Sequence, residues 1–208
     1  MIYLAPNQAF PEVSQATNEG LLAIGGDLSV ERLLDAYRRG IFPWFDNDEP
    51  ILWWSPDPRF VLFPDKLKVS KSMKQIMRNN DFEITINKAF STVIQECAIV
   101  KRQGQSGTWI TTNMIEAYCM LHDQGYATSV EVWLKDELVG GLYGIDVNNS
   151  VFCGESMFTK VNNASKVGFI TFVQQSNYKL IDCQVYTDHL ASLGAEDITR
   201  EAFLKYLN

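Results

Sequence analysis

Glu155 in "FCGESMF" and the pair Asp182 and Gln184 in "KLIDCQV" stand inside otherwise apolar runs. A carboxylate among apolar neighbours is costly to ionise unless it has a partner or a task. On an extended strand, Asp182 and Gln184, two apart, project to one face, and Ile181 and Cys183 to the other. A carboxylate and an amide side by side can bind each other, and the amide, with two donors and an acceptor, can also bridge to a substrate. Such a pair suits acyl transfer, where an amine must be oriented and relieved of a proton. It is equally well used as a structural hydrogen bond that fixes a sheet. Glu155 is either part of such a site or an exposed edge glutamate.

Other chemistries are written less clearly. Cys183 with His189 has the residue types of a thiol nucleophile and base, but the spacing runs from a strand to a helix start and nothing orients the histidine. The four cysteines have no CxxC spacing and there are only two histidines, so no zinc site, disulfide framework or cofactor is expected. "NNASKVG" puts Asn163, Ser165 and Lys166 at a helix start, where free amides favour an anion or where simple capping suffices. "LVGGLYG" is a glycine-rich strand open to a close backbone approach or to a bulge.

The elements that must carry these residues follow from periodicity. Ser29 caps a helix over 29–40 with Leu33, Leu34 and Tyr37 inward and Gly40 as its stop. A second helix starts at Ser70 with Met73, Ile76 and Met77 inward. After a strand at "FEITI", Asn87 is expected to cap a helix to about Val100. The loop "KRQGQSGTW" follows, and then a helix capped by Thr111 or Thr112 that carries Met114, Tyr118 and Leu121 and stops at Gly125. The period then falls towards two: "ATSVEVWL", "LVGGLYGIDV" and "SVFCGESMF", joined by short turns, predict a three-stranded antiparallel meander. A helix from about Asn163, the apolar strand "KLIDCQV" and two short helices after Asp188 and Thr199 complete the chain. The order βββ-α-β-α predicts an α+β core with a mixed sheet.

At 208 residues, 46% hydrophobic and 21% charged, the chain can fold without staples. It lacks an apolar run long enough for a membrane span, and "MIYLAPNQAF" lacks the pattern of a secretory signal, so a cytoplasmic protein is expected. A formal charge of -7 argues against indiscriminate nucleic-acid coating. Against that background Lys66, Lys68, Lys71, Lys74 and Arg78 form a basic stripe, with the last three at i, i+3 and i+7. It is either a solvated helix face or a backbone contact for nucleic acid.

The stretch 40–60, "GIFPWFDNDEPILWWSPDPRF", holds three of five tryptophans and four of seven prolines. Proline argues against an ordinary helix or a central strand here. An irregular aromatic loop can stack on unpaired bases, and exposed aromatics also suit a carbohydrate-binding module.

Taken in order, "NEGLLAIGGDLSVERLLDAYRRGIFPWF", "ILWWSPDPRFVL", "TWIT", "EVW", "ELVGGLYG", "FCGESMF", "NASK", "KLIDCQ" and "HLASLGAEDI" resemble the bacterial leucyl/phenylalanyl-tRNA-protein transferase family over essentially the whole chain. The resemblance implies a small N-terminal domain, 1–62, and a catalytic domain, 63–208, similar to the GCN5-related N-acetyltransferases; the change of pattern along the chain offers about residue 100 as the alternative boundary. It implies transfer of Leu, less often Phe or Met, from Leu-tRNA, Phe-tRNA or Met-tRNA to proteins with N-terminal Lys or Arg, marking them for N-end rule degradation. A monomer without cofactor is implied, and an acetyl-CoA-dependent N-acetyltransferase is the alternative.

By the same resemblance Asp182 polarises Gln184, which helps draw a proton from the attacking amine, while Glu155 helps hold the acceptor and the reacting centre. Trp44 and Trp109 hold the terminal adenosine, and Leu142, Phe152, Met157, Phe169, Phe172 and Ile181 form the amino-acid pocket. The basic stripe follows the tRNA backbone. Trp53 and Trp54 are expected to pack an interface between domains.

Overall fold

A computed structural model describes residues 2–5, 8–47, 49–79, 82–100 and 109–207. The first sheet is built from β1 (Tyr3–Leu4), β2 (Leu21–Gly25), β3 (Phe42–Pro43) and β4 (Leu52–Trp54), in the order β1-β2-β4-β3. Helix α1 (Val30–Arg38) leads from β2 towards β3. The Ser29 hydroxyl accepts from the Arg32 amide at 3.4 Å, and Glu31 and Arg38 complement the two ends of the helix dipole. The chain leaves α1 at Gly40 with φ +71°, where an added Cβ would lie 2.9 Å from Leu204. Left-handed backbone and lack of room both call for glycine there.

The second sheet contains seven strands in the order β11-β5-β10-β9-β8-β7-β6. In chain order its elements are β5 (Arg59–Leu62), α2 (Lys71–Asn79), β6 (Glu83–Ile86), α3 (Phe90–Ile99), α4 (Thr112–Asp123), β7 (Ala127–Leu134), β8 (Glu137–Val147), β9 (Val151–Thr159), α5 (Ala164–Gln175), β10 (Leu180–Gln184), α6 (Asp188–Ser192), β11 (Glu196–Ile198) and α7 (Arg200–Leu204). The predicted meander is β7-β8-β9, all antiparallel. Helix α5 crosses over so that β10 runs parallel to β9, which makes the sheet mixed and the fold α+β.

Three expectations change. The proline-rich stretch is not wholly irregular: β4 and β5 flank the cis Asp57–Pro58 peptide, and β5 lies inside the seven-stranded sheet between β10 and β11. Proline is compatible with this because Pro56 and Pro58 stand before the strand begins at Arg59. Strand β11, only three residues long, carries no legible alternation. Asn87 does not cap α3: it has φ +58° and its side chain accepts from the Ser129 amide at 2.9 Å. No side chain caps α3; the two amides just before it are held by the fully buried Glu131 of β7, which accepts from Lys88 at 3.3 Å and Ala89 at 3.2 Å. The Thr85 and Ser129 hydroxyls complete its shell at 2.6 and 2.5 Å.

The glycine-rich strand has a packing reason. A Cβ on Gly140 of β8 would lie 2.8 Å from Ala164 and 3.0 Å from the Ser165 nitrogen, so the start of α5 rests directly on the sheet. Among the described residues no helix is long and apolar enough to cross a membrane. The loop expected at "KRQGQSGTW" lies outside the described residues up to Trp109.

Candidate active site

Pairing between β9 and β10 runs from Leu180 opposite Val151 to Asp182 opposite Cys153. Beyond that point Gly154–Thr159 and Cys183–Val185 line a cavity of about 500 Å3, within the usual range for a small-molecule site. Parallel strands that part leave their unpaired ends open to a ligand, and Glu155 and Gln184 stand at this parting.

Helix α5 contributes Ser165 and Phe169 to the wall, α6 contributes His189 and Leu190, and the first sheet contributes Phe42, Pro43 and Trp44. Leu142, Phe152, Met157 and Ile181 make part of the wall apolar, and Trp109 also lines the cavity. Phe172 takes a different place: it backs Phe152, with ring centroids 4.6 Å apart, rather than facing the cavity. On a helix, positions 169 and 172 are three apart and so diverge by about 60°.

Asp182 and Gln184 are both brought to the site, but their side chains bind different partners. The Asp182 carboxylate takes a two-pronged bond from Arg59, Nε to Oδ1 at 2.8 Å and Nη2 to Oδ2 at 2.7 Å. Arg59 and Asp182 are at most 1% exposed. The Arg59 guanidinium also donates to the Gly40 carbonyl at 3.2 Å and lies between the rings of Phe42 and Phe203, 4.8 and 4.6 Å from their centroids. Asp182 Oδ1 accepts a further bond, at 2.9 Å, from the Gln184 backbone amide.

That bond closes a turn in which Gln184 adopts φ +63°, in the left-handed region that a non-glycine residue occupies at a cost. The ladder to β5 shifts register at the same place. The twist turns the Gln184 side chain away from Asp182 and towards β9, where its Nε2 donates to Glu155 Oε1 at 2.7 Å. Strand alternation predicts the shared face of Asp182 and Gln184, and the bulge overrides it.

Glu155, 8% exposed, has its other oxygen bonded by the Tyr118 hydroxyl at 3.1 Å, and that hydroxyl is in turn hydrogen-bonded to the Tyr37 hydroxyl. Burial raises the Glu155 carboxyl to about 7; the hydroxyls of Tyr37 and Tyr118 oppose the rise, the Asp182 charge adds to it and the Gln184 amide opposes it. The carboxyl therefore changes charge in the neutral range. The thiol reading finds no support in the surroundings. Burial, and then the Asp182 charge, push the Cys183 thiol well up, whereas a nucleophile needs thiolate. The His189 ring is held below its usual value by burial.

Trp44, 39% exposed, presents its ring at the mouth while Trp54 supports it from below. Trp54 Nε1 donates to the Trp44 carbonyl at 2.7 Å, with ring centroids 6.0 Å apart. Trp53 is fully buried, donates to the Gly25 carbonyl at 2.8 Å and meets the Phe10 ring edge to face. Trp53 and Trp54 both belong to one hydrophobic cluster that joins first-sheet residues such as Leu22 and Phe42 to Phe90 and Tyr143 beside the second sheet, and Trp54 in addition braces Trp44. The five basic side chains are all exposed, away from the cavity lining. Lys66 binds Glu196 and lies over the Phe63 ring, while Lys71, Lys74 and Arg78 share α2, whose Met73, Ile76 and Met77 pack inward as predicted.

Arg59, Tyr37 and Tyr118 were not singled out by type or spacing. Tyr37 and Tyr118 read as ordinary inward helix positions. The only signal for Arg59 is a cation inside the apolar run "RFVLF", which demands a buried counter-charge.

An apolar cavity that holds an amide-bound carboxyl titrating near neutrality and is lined by Trp44 and Trp109 has the groups a group-transfer enzyme needs. Family comparison sharpens this. Residues 61–208 match the leucyl/phenylalanyl-tRNA protein transferase family, and residues 26–57 match that family's N-terminal domain. The leucyl/phenylalanyl-tRNA–protein transferase of Flavobacterium johnsoniae is 59% identical over all of this chain and 99% of its own length. Its counterpart in Chromobacterium violaceum is 53% identical over 99% of this chain and 89% of its own. The chain belongs to the leucyl/phenylalanyl-tRNA–protein transferase family and is an aminoacyltransferase. Among solved structures, a GCN5-related N-acetyltransferase from Kribbella flavida aligns over 79% of this chain and 59% of its own, at TM-score 0.41 and 9% identity.

Proposed function

We propose that this protein moves leucine, and less often phenylalanine or methionine, from aminoacyl-tRNA to the N-terminal α-amino group of proteins beginning with Lys or Arg, marking them for N-end rule degradation. The observation that carries the reading is the Glu155–Gln184 pair at the parting of β9 and β10, on the wall of an apolar cavity with aromatic residues at its mouth. The aminoacyl ester is already activated, so the enzyme's tasks are to place two substrates and to free the amine of its protons.

The acceptor arrives largely as an ammonium, since an α-amino group titrates at about 7.7–8.0. Glu155, as carboxylate, takes its first proton. The amine nitrogen then bonds to the ester carbonyl carbon, the carbonyl–oxygen bond to the ribose breaks, and the second proton goes to the departing ribose oxygen. Gln184, anchored on Glu155, orients the amine. Asp182 acts through Arg59 and the Gln184 backbone and so is a positioning residue, not a polariser of the amide. Leu142, Phe152, Met157, Phe169 and Ile181 select the side chain by shape, with Phe172 supporting Phe152. Trp44 and Trp109 take the terminal adenosine by stacking. Lys68, Lys71, Lys74 and Arg78, with Lys66 partly engaged elsewhere, follow the tRNA backbone. The reading places the protein in the cytoplasm as a monomer.

The test is transfer of labelled leucine from leucyl-tRNA to peptides beginning with Arg, Lys, Asp or Glu. Label on the Arg and Lys peptides is the expected result. Label on Asp and Glu instead would overturn the acceptor class. Consumption of acetyl-CoA with leucyl-tRNA ignored would replace the function by N-acetyl transfer.

A further inference from the structure

We propose that Tyr118 and Tyr37 are positioning residues that set the protonation of Glu155, so that the first helix of the chain helps tune the acid–base group of the site. This rests on the reading of Glu155 as the proton acceptor. Three elements distant in sequence meet at one carboxyl: α1 brings Tyr37, α4 brings Tyr118 and β9 brings Glu155. Both tyrosines are fully buried, and so is the Tyr143 ring that meets Tyr118 edge to face at 5.7 Å. The Tyr118 hydroxyl donates to Glu155 Oε2 at 3.1 Å and is hydrogen-bonded to the Tyr37 hydroxyl. Gln184 occupies the other carboxylate oxygen from the cavity side at 2.7 Å. The carboxyl is thus held between a substrate-facing amide and a protein-facing pair of phenols.

The purpose of such a pair follows from the solvent it replaces. A carboxylate deep in apolar surroundings is driven towards its neutral form, in which it is useless as a base at physiological pH. Among the described residues no cation is hydrogen-bonded or ion-paired to it: Arg59 on β5 forks onto Asp182 of β10, and its charge reaches Glu155 only through space. The other ionisable groups nearby are Asp182, whose charge works against ionisation, and the thiol of Cys153 on β9, held protonated by burial. His189 of α6 is on the cavity wall and is held below its usual value. Among the described residues, the direct bonds that favour the carboxylate come from Gln184 and from the phenols. Two phenols in series bring it close to neutrality without an ion pair that would make it permanently charged and unreactive.

The experiment is the pH dependence of leucine transfer in the wild type, Tyr118→Phe, Tyr37→Phe and Glu155→Gln. Losing a donor to the carboxylate raises its pKa, so the ascending limb should move alkaline by about one unit in Tyr118→Phe, a tenfold loss near neutrality regained at high pH. Tyr37→Phe, which removes the second phenol and leaves the Tyr118 bond in place, should move it in the same direction. The acceptor amine titrates identically in all reactions, so the difference belongs to the enzyme. Glu155→Gln should lack the limb, which assigns it to Glu155 rather than His189. Carboxyl-carbon NMR, with Glu155→Gln identifying the resonance, follows the same titration without substrate. Lower rates with an unmoved limb and an unmoved carboxyl titration would overturn the proposal and leave the tyrosines as packing. If the carboxyl titration moves but the wild type transfers no leucine, the tuning stands and the assigned function fails.

Discussion

Asp182 and Glu155 are buried carboxylates on adjacent strands, one at the last β9–β10 pair and one just past it, and their surroundings differ in kind. Asp182 faces a guanidinium fork clamped between two rings, and Glu155 faces an amide and a phenol. The difference teaches that burial alone does not assign a role. A cation converts a buried carboxylate into a structural anchor, whereas neutral donors leave it able to change charge within the working pH range. The anchor holds the left-handed turn at Gln184, and the turn aims the amide at the titratable partner.

The comparison breaks most visibly if the anchor is removed. Arg59→Met leaves Asp182 buried without its cation and should cost about 3–5 kcal/mol of stability, read from urea unfolding, along with activity. A loss below about 1 kcal/mol would mean that Asp182 is not anchored as described.

Changing the other carboxylate should have the opposite balance. Glu155→Gln is expected to lower leucine transfer at least about 100-fold while raising stability above neutral pH. The sign follows from linkage: the folded-state value, about 7, lies above the ordinary carboxyl value of 4.5. The folded state therefore holds the proton more tightly, and wild-type stability is fullest below the unfolded value and is lost as pH rises to about 7. Thermal melts at pH 8 should favour the variant by about 1–3 kcal/mol. An equal melt at pH 5 and pH 8 relative to wild type would remove the case for a raised carboxyl.

Away from both carboxylates, the rim should affect binding more than chemistry. Trp44→Ala is expected to raise the KM for aminoacyl-tRNA by about tenfold, in line with loss of one base stack, with kcat little changed. Trp54→Ala should follow it weakly, since Trp54 holds Trp44 from below. Smallest is the inner wall: Phe169→Leu should change the ratio of phenylalanine to leucine transfer by about 10-fold or less, measured in direct competition.

Much of the scaffold was legible because it depends on short-range rules. Ser29 and Thr111 accept from the amides of Arg32 and Met114, and Gly40 and Gly125 leave their helices with positive φ. The meander and the crossover strand follow from period and turn residues. Asn87 failed as a cap because its side chain is taken by the Ser129 amide, 42 positions later, while Glu131 of the same strand holds the turn before α3. Strand β5 was hidden because its pairing with β10 joins residues about 120 apart.

The site divided along the same line. Glu155, Asp182 and Gln184 stood out because polar groups in apolar runs need an explanation, and that rule requires only local sequence. Their pairing could not be read, since a bulge and a left-handed residue at Gln184 reversed the simple alternation.

By itself the sequence determined the elements, their caps, the family strings and the presence of costly polar groups, because each is written within about ten residues of chain. Only the tertiary structure decided that Arg59 belongs to Asp182 and that Tyr37 and Tyr118 belong to Glu155. Hydrogen bonds and ion pairs depend on distance in space, and in a buried site those distances are set by packing between strands and helices remote along the chain.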